Sequence, residues 1–277
     1  RHAQSVRRFD SFGTAMPKTA LHFVAAALLA FTAAGSPATA ERGGDGELKL
    51  IYWQAVSTMN PYLSSGWKDQ DAATLVLEPL MRYDPEGRFI PWLAEEIPSV
   101  RNGGVARDFR SITWTLREGL LWSDGSPVTS EDIRFTWQYC TTEAARCSQW
   151  ERFADIADVE IVDERTATIR FSVPKFFPYH AFASSKSPLL QKAQFQECIG
   201  QPARQCDAQN TAPVGTGPFV VDEFREDEEI TFSPNPYYRV PGKPAFSRVV
   251  LRSGGTATEA ARSVFMSGDA DYAWNLQ

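Results

Sequence analysis

Histidine is scarce in this chain, and so is most of the chemistry that enzymes use to move protons. The 277 residues include three histidines, and His180 alone lies beyond the first 40 residues. A Gly-x-Ser-x-Gly elbow and a glycine-rich phosphate loop before a helix are also missing. Acidic residues are plentiful, but nothing in their spacing selects the separated pair that a glycosidase needs. The sequence therefore does not predict an enzyme, and it does not call for a cofactor.

Clustered positive charge is a second feature that the chain lacks. It has 28 Lys and Arg against 34 Asp and Glu, for a net charge of −6. Residues 1–40 hold four of the basic and one of the acidic residues, so the remainder carries 24 and 33, and a net charge of −9. Binding to nucleic acid or to an anionic membrane depends on a basic surface. Neither partner is expected.

The one prominent apolar run, Leu21–Ala34, is shorter than the roughly 20 residues that a membrane-spanning helix requires. It is followed by Ala38-Thr39-Ala40, a small-x-small cleavage pattern, and preceded by the basic residues Arg7, Arg8 and Lys18. This order predicts a signal peptide that ends at Ala40. A buried apolar helix is the alternative, but the Ala-Ala-Gly-Ser-Pro exit argues against it. Met16 is a more natural start than Arg1, which leaves residues 1–15 as upstream sequence.

Four cysteines form two local pairs, Cys140 with Cys147 and Cys198 with Cys206. No cysteine lies beside the cleavage site, so a lipid anchor is not expected and the mature protein is predicted to be periplasmic. In that oxidising compartment the local pairs are expected to close as disulfides. Four cysteines allow three pairings, and the sequence does not choose among them. A zinc site is disfavoured because the spacings are not Cys-x-x-Cys and histidine is scarce.

The most informative stretch runs from Ile112 to Tyr139. Apolar residues alternate with polar ones from Ile112 to Arg117, which is typical of a half-buried strand. Ser123-Asp124-Gly125 then predicts a turn. Thr129 offers a helix N-cap with acidic residues in the first turn, and apolar residues mark one face of the helix that follows.

This strand-turn-helix order resembles the signature of the family 5 extracellular solute-binding proteins, the receptors of peptide- and nickel-type ABC importers. The signature positions are met by Leu116, Arg117, Gly119, Asp124, Gly125, Pro127, Thr129, Asp132 and Phe135. Ser123 departs from the family, in which a histidine is frequent. Three further segments are similar to family elements, namely Val214–Phe219 (Gly-Thr-Gly-Pro-aromatic), Asn235–Tyr238 (Asn-Pro-x-Tyr) and Met266–Asp271 (hydrophobic-x-x-Gly-x-hydrophobic-Asp).

The resemblance implies a fold of the α/β class, with mixed α+β character. It is the periplasmic-binding-protein-like lobe of a two-lobed type II (class C) receptor whose second lobe is largely missing from this chain. Residues 41–277 are then the N-terminal lobe. Within it, residues 41–90 and 210–277 are expected to build a central sheet subdomain, and residues 91–209 an accessory subdomain.

The resemblance also implies where a ligand would bind. In the family the N-terminal lobe contributes the loop after the first strand and the strand end after the Gly-x-hydrophobic-Asp element. Indole faces, amides and hydroxyls there suit a polar ligand. Trp53 and Trp274 are expected to lie near each other on an open face. The candidate ligand-binding residues are Trp53, Gln54, Ser57, Thr58, Met59, Asn60, Trp274, Asn275 and Gln277.

The function implied by the resemblance is capture of a di- or oligopeptide in the periplasm and delivery to the transmembrane subunits of an ABC permease. The protein is expected to act as a monomer. The alternatives are an oligosaccharide, opine or metal chelate as ligand on the same fold, or a periplasmic sensor or chaperone-like binder.

We predict that export removes residues up to Ala40, because the basic, apolar and small-residue segments follow one another in the order that a signal peptidase requires. N-terminal sequencing of the exported protein should begin at Glu41. A membrane fraction that retains Leu21–Ala34 would contradict this prediction.

Overall fold

The computed structural model describes residues 41–142, 147–253 and 255–275. The predicted signal peptide and its cleavage site lie outside these ranges. Within them, no helix is both long enough and apolar enough to cross a membrane.

The described residues form ten strands and five α-helices, and two or three strands often follow one another between helices. The strands are β1 (Glu47–Tyr52), β2 (Met81–Tyr83), β3 (Phe89–Pro91), β4 (Ser111–Thr115), β5 (Ile156–Ile161), β6 (Thr166–Phe171), β7 (Phe219–Arg225), β8 (Glu229–Pro234), β9 (Arg248–Ser253) and β10 (Tyr272–Trp274). The helices are α1 (Trp67–Ala73), α2 (Ser130–Thr141), α3 (Lys192–Phe195), α4 (Asp207–Thr211) and α5 (Ala257–Arg262). Short 3-10 turns lie at Trp150–Arg152, Gln196–Cys198 and Ala203–Cys206, and a π turn at Ser263–Ser267.

The main sheet has five strands in the order β10-β1-β9-β8-β7. β1 runs parallel to both of its neighbours, with Leu50 opposite Leu251 of β9 and Tyr272 of β10. The pairs β9–β8 and β8–β7 are antiparallel. The mixed sheet confirms the α/β class with α+β character.

The middle part of the chain forms two smaller antiparallel sheets, β2–β3 and β4-β6-β5. Each of these sheets contains a hairpin whose turn has typical turn residues. In the β2–β3 turn, Gly87 has φ +80°. In the β5–β6 turn, the Asp163 carboxylate accepts from the backbone N–H of Arg165 at 2.8 Å. Glycine adopts positive φ without steric cost, and Asp can close a turn through its own side chain.

The signature run folds as a strand, a turn and a capped helix. In the turn Gly125 has φ +83°. At the start of α2, the Asp132 carboxylate accepts from the Thr129 backbone N–H at 2.9 Å, forming a capping box. Trp114 and Trp122 are fully buried beneath it. The residues of the signature run therefore stabilise the fold, and none of them belongs to the main sheet.

Two helices are short because their hydrogen-bonding pattern changes. α1 ends at Ala73, where the chain tightens and Val76 N–H donates to Ala73 O at 3.0 Å. α5 ends at Arg262, and the chain continues as the π turn at Ser263–Ser267.

Two hydrophobic cores fill the lobe. One lies against the main sheet and includes Tyr52, Met59, Val76, Phe232 and Trp274. The other is larger and includes Leu77, Leu80, Met81, Trp114 and Phe153. After Val76 the chain passes into the larger core, to which Tyr62 also contributes. The division into a sheet subdomain and an accessory subdomain stays a prediction.

The Gly-Thr-Gly-Pro element lies against this crossing. Gly217 N–H donates to Val76 O at 2.8 Å, and Phe219 N–H donates to Leu75 O at 3.0 Å. A Cβ on Gly217 would lie 2.6 Å from Val76 O, and one on Gly215 would overlap that oxygen. Both positions require glycine because two backbone segments touch there.

The buried carboxylate of Glu78 stabilises the same point, where the chain passes between the two cores. Glu78 accepts hydrogen bonds from Trp92 Nε1 at 2.6 Å, Thr216 Oγ1 at 3.0 Å and the Arg239 guanidinium at 2.5 Å. The Arg82 guanidinium lies 3.8 Å from Glu78 Oε1. Both guanidinium groups also lie over the Trp92 ring, at 4.1 Å for Arg82 and 4.9 Å for Arg239.

Both local disulfides are present, Cys140–Cys147 and Cys198–Cys206. Three of the four cysteines, Cys140, Cys198 and Cys206, are buried in the larger core, and Cys147 packs against it. Each bridge closes a short loop, so it removes less entropy from the unfolded chain than a long-range bridge would.

We predict that Gly215→Ala lowers the free energy of unfolding by about 3 kcal/mol, because the new methyl group has no space beside Val76 O. Chemical denaturation should show a lower midpoint at unchanged slope. Gly44→Ala is the matched control, since Gly44 is exposed and the nearest atom to an added Cβ is Glu41 O at 3.2 Å. Equal midpoints for the two variants would contradict the proposed packing role.

Candidate functional site

The candidate site lies at the carboxyl end of the parallel strands β1 and β10. Tyr52, the last residue of β1, is paired with Trp274, the last residue of β10. The segments that follow these strands therefore emerge at the same sheet edge. In open α/β sheets this edge is where ligands are usually bound.

Trp274 is held in one orientation by its neighbours. Its ring stacks on Tyr52 with centroids 5.2 Å apart, and its Nε1 donates to Asp71 Oδ2 at 2.9 Å. Burial raises the pKa of Tyr52 well above its ordinary value, and the Asp71 carboxylate adds to this effect, so the phenol stays neutral. The indole is 8% exposed, so only one edge of it is available to a ligand.

The other predicted tryptophan joins the two strand ends. Trp53 Nε1 donates to Asn275 O at 3.1 Å. The structure thus brings Trp53 beside the residue that follows Trp274, whereas the expectation that both indoles share an open face stays a prediction. Trp53 is half-buried and Asn275 is exposed with φ +52°, an uncommon backbone conformation for a residue other than glycine.

An open cleft of about 630 Å³ lies beside these residues. We call it the strand-end cleft. Of the predicted ligand-binding residues, Gln54, Trp274 and Asn275 line it. Its remaining walls were not among the predicted residues, and they are Ser65, Gly66, Trp67, Asp71 and Tyr272.

Helix α1 supplies the wall that the sequence analysis missed. Trp67 starts the helix and is 59% exposed, while Asp71 lies one turn later. Residues three or four apart share a helix face, so both can border the same cleft. The available signal in the sequence was a tryptophan only seven positions after Asn60, the last predicted binding residue of the loop after β1.

The loop after β1 is anchored by the buried carboxylate of Asp69. Its oxygens accept from Ser57 N–H at 2.8 Å, Ser57 Oγ at 3.1 Å and Ser64 Oγ at 2.5 Å, and Lys68 Nζ lies 2.9 Å away. Ser57 is exposed but does not line the strand-end cleft. Its observed partner is this anchor.

Three predicted ligand-binding residues are turned inward. Met59 and Asn60 are fully buried, and Thr58 is nearly so. Met59 packs in the core of the main sheet, and the Asn60 amide donates to Tyr139 OH at 3.0 Å and Asn210 Oδ1 at 2.9 Å. Unlike Trp274, none of the three lines the strand-end cleft, so the structure corrects the expectation: they hold the loop in place and lie outside the cleft. Gln277 lies outside the described residues.

The arrangement suits recognition of a polar ligand. Indole and phenol rings offer stacking surface, Gln54 and Asn275 offer amides, and the Asp71 carboxylate offers a negative charge. In the described part of the chain, no group of His, Cys, Asp and Glu side chains is arranged to hold a metal ion.

The chain is similar to known proteins along most of its length. The chain is 29% identical over 261 residues to Protein XP55 of Streptomyces lividans, covering 89% of this chain and 44% of that protein. It is 26% identical over 267 residues to the periplasmic oligopeptide-binding protein OppA of Salmonella typhimurium, covering 89% and 46%. The chain thus spans about half the length of these curated relatives.

A solved structure shows the same fold. The periplasmic binding protein AgaA of A. tumefaciens R10, in complex with agropinic acid, matches 81% of this chain and 43% of its own, with a TM-score of 0.70 at 24% identity. The sequence model of the bacterial extracellular solute-binding proteins, family 5 Middle, matches residues 88–277, which is more than half of the chain. The chain therefore belongs to the family 5 bacterial extracellular solute-binding proteins.

Proposed function

We propose that this chain is the ligand-capturing lobe of a substrate-binding protein that serves an ABC importer in the periplasm. The observation that carries the proposal is the strand-end cleft, which Trp67, Trp274 and Asp71 line where β1 and β10 end. The exposed indole of Trp67 contacts no apolar core, so it is available to a ligand.

We propose a di- or oligopeptide as the ligand. A peptide presents amides that Gln54 and Asn275 can pair with, and an ammonium group that the Asp71 carboxylate can receive. The name of the Salmonella relative states that it binds oligopeptides. The AgaA complex contains agropinic acid, so an opine is the second candidate for this fold.

The proposal extends to the cellular setting. The protein would act without catalysis, as a periplasmic monomer, and would deliver its ligand to the transmembrane subunits of a permease. Closure of a second lobe over the strand-end cleft would exclude water and strengthen each polar contact. A periplasmic sensor using the same cleft is the alternative partner arrangement.

The first test identifies the ligand directly. The exported protein is purified from the periplasm without added ligand and denatured, and the released small molecules are analysed by mass spectrometry. We expect peptides of a few residues. Release of an opine, a sugar or a metal chelate in place of peptides would contradict the peptide assignment and leave the binding cleft in place.

The second test removes the exposed indole of the cleft. Trp67→Ala should weaken the binding of a released peptide about fivefold or more, since losing a stacking ring costs about 1–3 kcal/mol. Calorimetry of the exported protein measures this loss, and thermal melting should show little change because Trp67 is 59% exposed.

Trp150→Ala is the matched control for this substitution. Trp150 is 53% exposed and does not line the strand-end cleft. It should leave both affinity and melting temperature unchanged. Equal affinities for the two variants would remove Trp67 from the site.

A further inference from the structure

A second cleft, of about 540 Å³, adjoins the candidate site and carries positive charge. We call it the cationic cleft. Its basic side chains are Arg152, His180 and Lys186, its aromatic walls are Tyr83 and Phe177, and Glu151 is its one acidic residue. A cleft with this balance is unexpected in a protein whose net charge is negative.

The two strongest cations of this cleft have no acidic partner among the described residues. Arg152 donates only to neutral oxygens, Gln149 Oε1 at 3.3 Å and His180 O at 3.0 Å. Lys186 Nζ lies over the Trp67 ring, 4.1 Å from its centroid. Burial lowers the pKa of Arg152, which shows that its guanidinium has lost part of its hydration. A partly dehydrated and unpaired cation favours the approach of an anion.

The cationic cleft lies next to the strand-end cleft, since a wall residue of one contacts a wall residue of the other. Trp67 lines the strand-end cleft, and Lys186, which lines the cationic cleft, touches its ring. The chain segments that border the two clefts are also hydrogen-bonded to each other. Ser64 O accepts from Ser148 Oγ at 2.9 Å, and the next residue, Ser65, lines the strand-end cleft. A ligand that leaves the strand-end cleft past Trp67 therefore meets Lys186 next.

The loop that carries Lys186 is held in place on both sides. The Ser187 hydroxyl accepts from Ala183 N–H at 3.1 Å and donates to Ala183 O at 2.9 Å. Leu189 N–H donates to Glu78 O at 3.0 Å. A cation on a fixed loop binds an anion without first paying the entropy of ordering that loop.

We propose that the cationic cleft is an anion subsite, in which Lys186 and Arg152 receive a carboxylate carried by the captured ligand. The subsite rests on the proposed function, because it presumes that a ligand occupies the strand-end cleft. It narrows the ligand class to acidic molecules, such as peptides that contain glutamate.

The test uses the exported protein and tripeptides of alanine that carry Glu or, in a matched series, Gln at each position in turn. Calorimetry should show that at one position or more the Glu peptide binds about tenfold more tightly than its Gln counterpart. In Lys186→Gln this preference should disappear while the affinity for the Gln peptide is kept. Lys243→Gln, on an exposed loop away from both clefts, should retain the preference.

Two outcomes of the peptide series overturn the subsite and leave the proposed function intact. One is equal affinity for Glu and Gln peptides at every position. The other is a preference for Glu that persists in both Lys186→Gln and Arg152→Gln.

If no tripeptide binds, the peptide assignment fails. The anion subsite is then tested separately, with glutarate as the probe. At saturating glutarate, and at constant ionic strength against chloride, the melting temperature of the parent protein should rise by about 3 °C and that of Lys186→Gln should not. An equal rise in both proteins, or no rise in either, overturns the subsite.

Discussion

The carboxylate of Glu78 is the interaction on which the arrangement of this lobe depends. It is buried where the chain passes from one hydrophobic core to the other, and its partners come from three other segments: Trp92 after β3, Thr216 in the Gly-Thr-Gly-Pro element and Arg239 after β8. A buried charge that loses a partner costs several kcal/mol, so each of these segments has one acceptable position. The carboxylate therefore fixes the second core against the main sheet.

The chain segment around Glu78 also positions the walls of the candidate site. Helix α1 ends only a few residues before Glu78, and Leu75 and Val76 between them are bonded to the Gly-Thr-Gly-Pro segment. The main-chain N–H of Leu189 is bonded to Glu78 O, which places the Lys186 loop relative to the same point. Both walls that meet at the Trp67–Lys186 contact are thus positioned by one short stretch of backbone.

The strand-turn-helix signature could be predicted because its residues act locally. Gly125 meets a positive φ, and Thr129 and Asp132 cap their own helix. The candidate site was predicted only in part, because its burial is decided by distant residues. Asn60 has the composition of a surface turn, but its amide is satisfied by Tyr139 and Asn210, 79 and 150 positions away. The helix face that carries Asp71 toward Trp274 likewise depends on a contact across 203 positions.

The pairing of β1 with β9 and β10 has a consequence for the order of folding. β1 begins at residue 47, and its first partner strand begins at residue 248. The main sheet therefore cannot close until almost the whole of the described chain is available. Contacts of such long sequence separation slow the folding of a chain. Strands β7, β8 and β9 can pair locally, so the step that waits longest is the addition of β1 and β10, which also completes the edge where the strand-end cleft lies.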